Sequence, residues 1–531
     1  MRIITVATAR RDSDFPCSFT LDEIAEINQN TSIALATIRE WMNSSVPINR
    51  LPLDVLSLIP TYLSSQNDRF RATFVCRHWR RTFLQYATLW SHLCLSKGEV
   101  YVKTLLERAK GSPLSILVGC MVPVGVIRLL PPYTKQIADL EFTNNHWVDI
   151  QRFSDLDSGS FPLLRTLNIN VVRRITADNH EVMTPPSYPL FSGAVDLKEF
   201  RLHSDVSSFL SRFIFPNLTS FELSVAPVEG FYGSQLLDFL EATPMMQVVD
   251  VKILTNLLLE GVPRERVSVL QHVESLCLTA SDGGPGYKLA THISCPSVKD
   301  TSITYMGQGG PHENPPFETF PASDSLNAII RQCTGSPIEE VRLEIMTDSD
   351  DFVVCSLTFR SADTTAITFR FQVDEGDETP ETFSCDVFYK ACGAILDLPL
   401  LASIKHLHIY GLLNIDMGST ARIAHKFGGL LRSLGPLEEL TIYRCDMRPY
   451  FLYYPEIVGY PPVRVLTLFD PWNTLVEDVG RGLVELAKAQ YELGVPFERV
   501  VIRSYDPLAD VDVENRLRLW VGAVTCTSVF E

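Results

Sequence analysis

Positive charge is scarce in this chain. Over 531 residues, 46 lysines and arginines face 63 aspartates and glutamates, a formal net charge of −17. So acidic a protein repels phosphate backbones, and nucleic-acid binding is not expected. Long apolar runs are missing as well: no stretch of about 18 uninterrupted apolar residues occurs, which argues against a membrane span. The opening run Met1 to Ala7 gives way to Arg10, Arg11 and Asp12, too soon for the core of a secretory signal. Residence in the cytoplasm or nucleus is the expectation. The 12 cysteines include no Cys-x-x-Cys pair and show no zinc-site spacing. In a reducing compartment they read as free thiols, with Cys277, Cys355 and Cys445 expected as small buried residues of apolar strands.

Catalytic patterns are absent too. The glycine-rich stretches at Gly283 and Gly307 lack the lysine and following helix of a phosphate loop. Neither Gly-x-Ser-x-Gly nor His-Glu-x-x-His occurs. His406 and His408 alternate along one strand-like run, but no third ligand sits at diagnostic spacing, so an exposed strand face explains them. No catalytic residue, metal site or cofactor is expected, and the chain reads as a non-enzyme.

What remains is ordinary globular material, 46% hydrophobic and 21% charged,. Residues 20–42 carry a helical pattern: Thr20 and Glu23 form a potential capping box, and Leu21, Ile24, Ile27, Leu35, Ile38 and Met42 recur near helical spacing. Asn43 to Pro47 ends that segment.

Residues 49–95 are the most informative stretch. Leu51-Pro52 opens a helix, proline suiting a first turn, and Leu53, Leu56, Ile59 and Leu63 mark one face. Pro60 should kink or end that helix. Asn67 or Asp68 would cap a second helix carrying Ala72, Val75, Cys76, Trp79 and Phe83. A third element holds Leu89, Trp90 and Leu93. These two faces and two tryptophans exceed what about 45 residues can bury, which implies a partner. The segment has six arginines and two aspartates, a local charge of +4 that leaves −21 on the rest of the chain.

The order Leu51-Pro52-x-x-x-Leu56, Val75-Cys76-Arg77-His78-Trp79 and Leu89-Trp90 resembles the F-box of fungal-type F-box proteins. That resemblance implies a three-helix module docking on the Skp adaptor of an SCF-type (Skp–cullin–F-box) ubiquitin ligase. The implied docking residues are Leu51, Pro52, Leu56, Ile59, Leu63, Val75, Cys76 and Trp79.

Beyond residue 95 a pattern apolar-x-x-apolar-x-apolar returns: Leu164/Leu167/Ile169, Leu197/Phe200/Leu202, Leu218/Phe221/Leu223, Met246/Val249/Val251 and Val273/Leu276/Leu278. Later come Ile338/Val341/Leu343, Ile404/Leu407/Ile409, Leu437/Leu440/Ile442, Val463/Leu466/Leu468 and Phe497/Val500/Ile502. Helix-like stretches lie between many of them, such as residues 235–242 and 421–434, and the period overlaps that of leucine-rich repeats. Residues 352–359 and 365–373 read as a hairpin, while 281–286, 307–321 and the acidic 374–381 read as loops.

The expected fold is therefore α/β. An N-terminal helical extension (1–46) and an F-box (47–95) precede an irregular, leucine-rich-repeat-like solenoid of parallel strands backed by helices (96–531), with an irregular insertion at about 344–400. On such strands the intervening positions face outward. His406, His408, Tyr410, Glu439, Thr441, Tyr443, Arg499 and Arg503, with Tyr505 beyond, are thus candidates for binding target proteins, and His408, Thr441, Thr467 and Val501 are expected in one row. The expected function is a substrate adaptor joining a target to the Skp–cullin core. The alternatives are a Skp-binding scaffold without a ubiquitylation role, or an enzyme with a dispersed site.

Overall fold

The computed structural model describes residues 20–528 apart from 64–65, 121, 146–149, 151, 154–160, 172–188, 192, 205–209, 227–230, 255–256, 282, 308–322, 335, 349–351, 364, 375–390, 397, 400, 412–426, 428, 444–461, 470–475 and 505–510. The chain divides into two compact units, Met1–Glu141 and Phe142–Glu531.

The first unit is mainly helical. Helix α1 (Leu21–Ser45) has the expected capping box, the Thr20 hydroxyl accepting from the Glu23 N–H and the Glu23 carboxylate from the Thr20 N–H,. Helix α2 (Leu53–Leu58) stops where Pro60 requires, and the chain continues as a 3₁₀ turn over Ile59–Tyr62,. The expected second helix is two helices, α3 (Gln66–Ala72) and α4 (Arg77–Gln85). The break comes at Thr73 to Cys76, where Cys76 turns extended and caps α4, its Sγ accepting from the Trp79 N–H at 3.5 Å. Helix α3 also starts at Gln66, ahead of Asn67 and Asp68. Strands β1 (His92–Cys94) and β2 (Leu114–Val118), joined through α5 (Glu99–Ala109), pair in parallel.

The second unit is a large, mostly parallel sheet. Its strands in chain order are β3 (Thr166–Val171), β4 (Glu199–Ser204), β5 (Ser220–Val225), β6 (Val248–Ile253), β7 (Ser275–Ala280) and β8 (Asp300–Gly307). Then follow β9 (Ile338–Asp348), β10 (Phe352–Ser361), β11 (Ala366–Asp374), β12 (His406–Tyr410), β13 (Leu437–Tyr443), β14 (Val463–Phe469), β15 (Arg499–Ser504) and β16 (Ala523–Ser528). Neighbours in sequence are neighbours in space and parallel, from β3 to β8 and from β12 to β16.

Every residue of the ten apolar triplets is buried. They line up across the sheet: Leu167, Phe200, Phe221, Val249 and Leu276 are successive partners, and so are Ile169, Leu202, Leu223, Val251 and Leu278. Several helices lie between strands in the chain: α6 (Gly233–Glu241), α7 (Gly283–Ala290), α8 (Ser323–Cys333), α9 (Val476–Glu492) and α10 (Val511–Leu517). Phe239 of α6 meets Phe221 at 4.5 Å and Phe200 at 6.1 Å between ring centroids. Such pairs add about 0.5–1.5 kcal/mol each beyond their buried area.

Two expectations change here. Residues 281–286 are not a loop throughout, because α7 begins at Gly283 and buries Tyr287 and Leu289. Within the stretch read as an irregular insertion, residues 344–348, 352–361 and 366–374 are regular sheet. Strands β9, β10 and β11 form an antiparallel meander whose outer members pair in parallel with β12 and β8, so the spatial order is β8–β11–β10–β9–β12. The meander fits because its strands carry the same buried stripe: Val341/Leu343, Leu357/Phe359 and Ile367/Phe369. Beyond β12, Gly411 holds φ +87°, and a Cβ there would collide with the Ile345 carbonyl oxygen,.

Candidate docking surfaces

In the first unit, side chains divide between an interior and an apolar exterior. Leu56, Trp79, Phe83, Leu89, Trp90 and Leu93 are buried. Trp79 packs edge-on against Phe83 at 5.3 Å and its indole N–H donates to the Asn49 Oδ1. The Trp90 indole donates to the Phe83 carbonyl at 3.0 Å. Both indole N–H groups are thus satisfied within the module, as burial demands.

Of the eight expected docking residues, Leu56 and Trp79 therefore belong to this interior. Leu51, Ile59, Leu63 and Cys76 are half-buried, and Pro52 and Val75 are exposed. Cys76 is occupied as the α4 cap. The apolar surface left over sits elsewhere: Leu53, Val55, Leu58, Tyr62 and Phe74, with Val75. The helix pattern alone could not show this. The break between α3 and α4 rotates Phe74 and Val75 out of the face that Trp79 continues.

An arginine borders that surface. The Arg80 guanidinium lies 5.1 Å from the Phe74 ring centroid,. Arg69 donates through Nε to the Leu63 carbonyl at 3.0 Å, tying α3 to the end of the preceding turn, and burial lowers its pKa.

In the second unit, the outward positions of β9 and β12 to β15 form three rows. The first is Glu340, His406, Glu439, Val465 and Arg499. The second is Arg342, His408, Thr441, Thr467 and Val501, which includes the expected row of four in register. The third is Glu344, Tyr410, Tyr443, Phe469 and Arg503. All eight target-binding candidates are thereby neighbours on one face. Tyr505 lies outside the described residues, as does Cys445.

The rows are chemically distinct. The third is an aromatic ladder: Tyr410 to Tyr443 is 5.5 Å and Tyr443 to Phe469 5.1 Å between centroids. A guanidinium covers each end, Arg342 at 4.3 Å from Tyr410 and Arg503 at 4.8 Å from Phe469,. In the first two rows His408 Nε2 lies 3.9 Å from Glu340 and His406 Nδ1 3.9 Å from Glu439. Glu439 also accepts from the hydroxyls of Thr441 at 3.1 Å and Thr467 at 3.3 Å.

Water does not reach all of this face. Thr441 and Thr467 are buried, small residues overtopped by longer neighbours, and the His408 side chain is only 18% exposed. The expectation that these positions face open solvent is corrected accordingly. Burial lowers the His408 pKa from 6.5, more than offsetting the pull of Glu340 and Glu439,. Glu340, Arg342, Glu344 and Phe469 were not among the sequence candidates. The first three sit on a strand the repeat spacing gave no reason to place beside β12.

Among the described residues no group of His, Cys, Asp or Glu could hold a metal ion, and no helix is long and apolar enough to cross a membrane. Cys355 is buried as expected, whereas Cys277 lies half-buried on the outward side of β7.

Comparison with known proteins bears on the first unit. No curated protein matches the chain significantly. A family model described as F-box-like matches residues 48–96, the segment that holds the Trp79 interior and the exposed apolar side chains around it. Residues 48–96 thus carry an F-box-like domain.

Proposed function

We propose that this protein is a substrate adaptor of an SCF-type ubiquitin ligase, acting in the cytoplasm or nucleus. The F-box-like domain at residues 48–96 docks on the Skp adaptor, and the sheet of the second unit, read as a degenerate leucine-rich-repeat solenoid, captures target proteins. Ubiquitin transfer belongs to other subunits, and this chain is not an enzyme. The observation that carries the reading is the F-box-like match on a segment whose interior is complete and which still exposes Leu53, Val55, Leu58, Phe74 and Val75. Apolar surface of this kind marks a partner site. The target face is supported by its Tyr and Arg content, residue types enriched at protein interfaces.

The test is affinity purification of the full chain beside a variant lacking residues 49–95. The full chain should bring down Skp and cullin subunits and a co-purifying protein whose ubiquitylation depends on that segment. Absence of both subunits from the wild-type eluate would overturn the reading. Skp recovery without ubiquitylation of any captured protein would favour the scaffold.

A further inference from the structure

Helix α1 is 25 residues long and buries none of them. At about 1.5 Å per residue it extends some 37 Å, and helices in proteins draw most of their stability from packing one face, which this helix does not do within the chain. Five of its apolar residues, Ile24, Ile27, Ala34, Ile38 and Trp41, together with Thr31 and Ser45, follow one another at spacings of three and four, the seam of a coiled coil,. Leu21, Leu35 and Met42 widen that stripe along one edge, and all three are exposed. The one hydroxyl at the end of the seam, on Ser45, already donates to the Met42 carbonyl at 2.6 Å. Burying it in an interface would leave no unmet donor.

The seam is complementary to itself when reversed. Laid antiparallel against a copy, Ile24 meets Trp41, Ile27 meets Ile38 and Thr31 meets Ala34. Each large side chain then faces another large one, and the small pair falls at the centre. Charge selects the same orientation. Asp22, Glu23 and Glu26 crowd the first turns, while the other end carries the one basic residue of the helix, Arg39, beside Glu40, which Arg77 engages. Parallel pairing would set acid beside acid; antiparallel pairing brings Arg39 towards the acidic end of the partner and opposes the two helix dipoles. With Leu21, Leu35 and Met42 counted, eight apolar side chains from each helix, at roughly 75 Å² apiece, give a total on the order of 1,200 Å². That reaches the size of a specific interface. A helix with net negative charge is by the same token poorly suited to an anionic membrane surface.

We propose that α1 is a dimerisation helix, pairing antiparallel with α1 of a second copy of this chain. Its base is anchored for the purpose. Asn49 donates to the Asn43 carbonyl at 2.7 Å and accepts from the Trp79 indole, and Arg77 reaches Glu40 at 3.7 Å, so α1 is fastened to the F-box-like domain.

Two differently tagged full-length copies expressed together should co-purify and sediment at twice the 59.6 kDa chain mass. Ile38→Glu should abolish co-purification with an unchanged melting temperature, because α1 contributes no buried residue. Ile33→Glu, equally exposed but off the seam, should leave the dimer intact. Oxidative cross-linking of an Ile24→Cys copy mixed with a Trp41→Cys copy should join 24 to 41. A wild-type monomer, equal behaviour of the two glutamate variants, or cross-links joining 24 to 24 would each overturn the proposal.

Discussion

At the scale of single residues, burial decides what a substitution reports. Trp79 is buried against Phe83 and hydrogen-bonded to Asn49, so Trp79→Ala should cost about 3–5 kcal/mol of stability in the first unit. A urea titration followed by circular dichroism would read it. The cleaner probes of docking are exposed. Leu58→Asp or Val75→Asp should weaken capture of the Skp adaptor by about 2 kcal/mol or more, as loss of an apolar anchor does, with an unchanged melting curve. On the other face, His408→Glu would set a partly buried carboxylate close to Glu340. It should cost about 1 kcal/mol through like-charge repulsion, besides altering which targets are captured. His408 also gives a pH signature. Its folded pKa lies below 6.5, so in that window the unfolded chain binds more protons and stability rises with pH. Its contribution is fully present above about pH 6.5 and is lost as pH falls towards the folded value. The melting-temperature advantage of wild type over His408→Asn should therefore shrink between pH 7.5 and 5.5. Comparing the two proteins cancels His92, whose pKa is lowered in the same direction.

At the scale of elements, the apolar triplets were fully legible, since a buried stripe on a half-covered strand leaves period-two spacing in the sequence. Strand β8 escaped because its triplet, Val298/Thr301/Ile303, has a buried threonine at the centre. The capping box and the stop at Pro60 are likewise chemical signals carried by single side chains. What could not be read was pairing between distant segments. Nothing in residues 338–374 announces that the last strand of the meander, not the first, sits against β8. The α3–α4 break was hidden too, because Cys76 is an unusual cap and the apolar spacing runs on across it. Close contact between elements gives a further test at β12. Gly411→Ala should destabilise the second unit by about 1–3 kcal/mol from backbone strain alone, and further through the clash with Ile345. Gly393→Ala, in the helical residues 391–396 with open space around its Cα, should be neutral or stabilising by up to about 1 kcal/mol,. Thermal melts of the pair would check both.

At the scale of the whole molecule, uneven charge and unspent apolar surface lead to one expectation. Residues 49–95 carry +4 on a chain of −17, so association with an acidic adaptor surface should slow as salt rises while dissociation changes little. Stopped-flow binding between about 50 and 500 mM salt would show it. Because Leu53, Val55, Tyr62 and Phe74 remain uncovered in the free chain, co-expression with the adaptor should raise soluble yield; equal yield with and without it would remove the physical case for a partner there. The meander, finally, obeys a rule of parity. Upstream strands reach β8 pointing one way, and β12 onward point the same way, because the three intervening strands β9 to β11 reverse direction twice. Gain or loss of one strand here would invert every later strand and turn its connecting helices to the opposite face. Gain or loss of two would not. Length changes inherited within residues 338–374 should therefore come in whole hairpins, and the polarity of the sheet beyond them would survive each one.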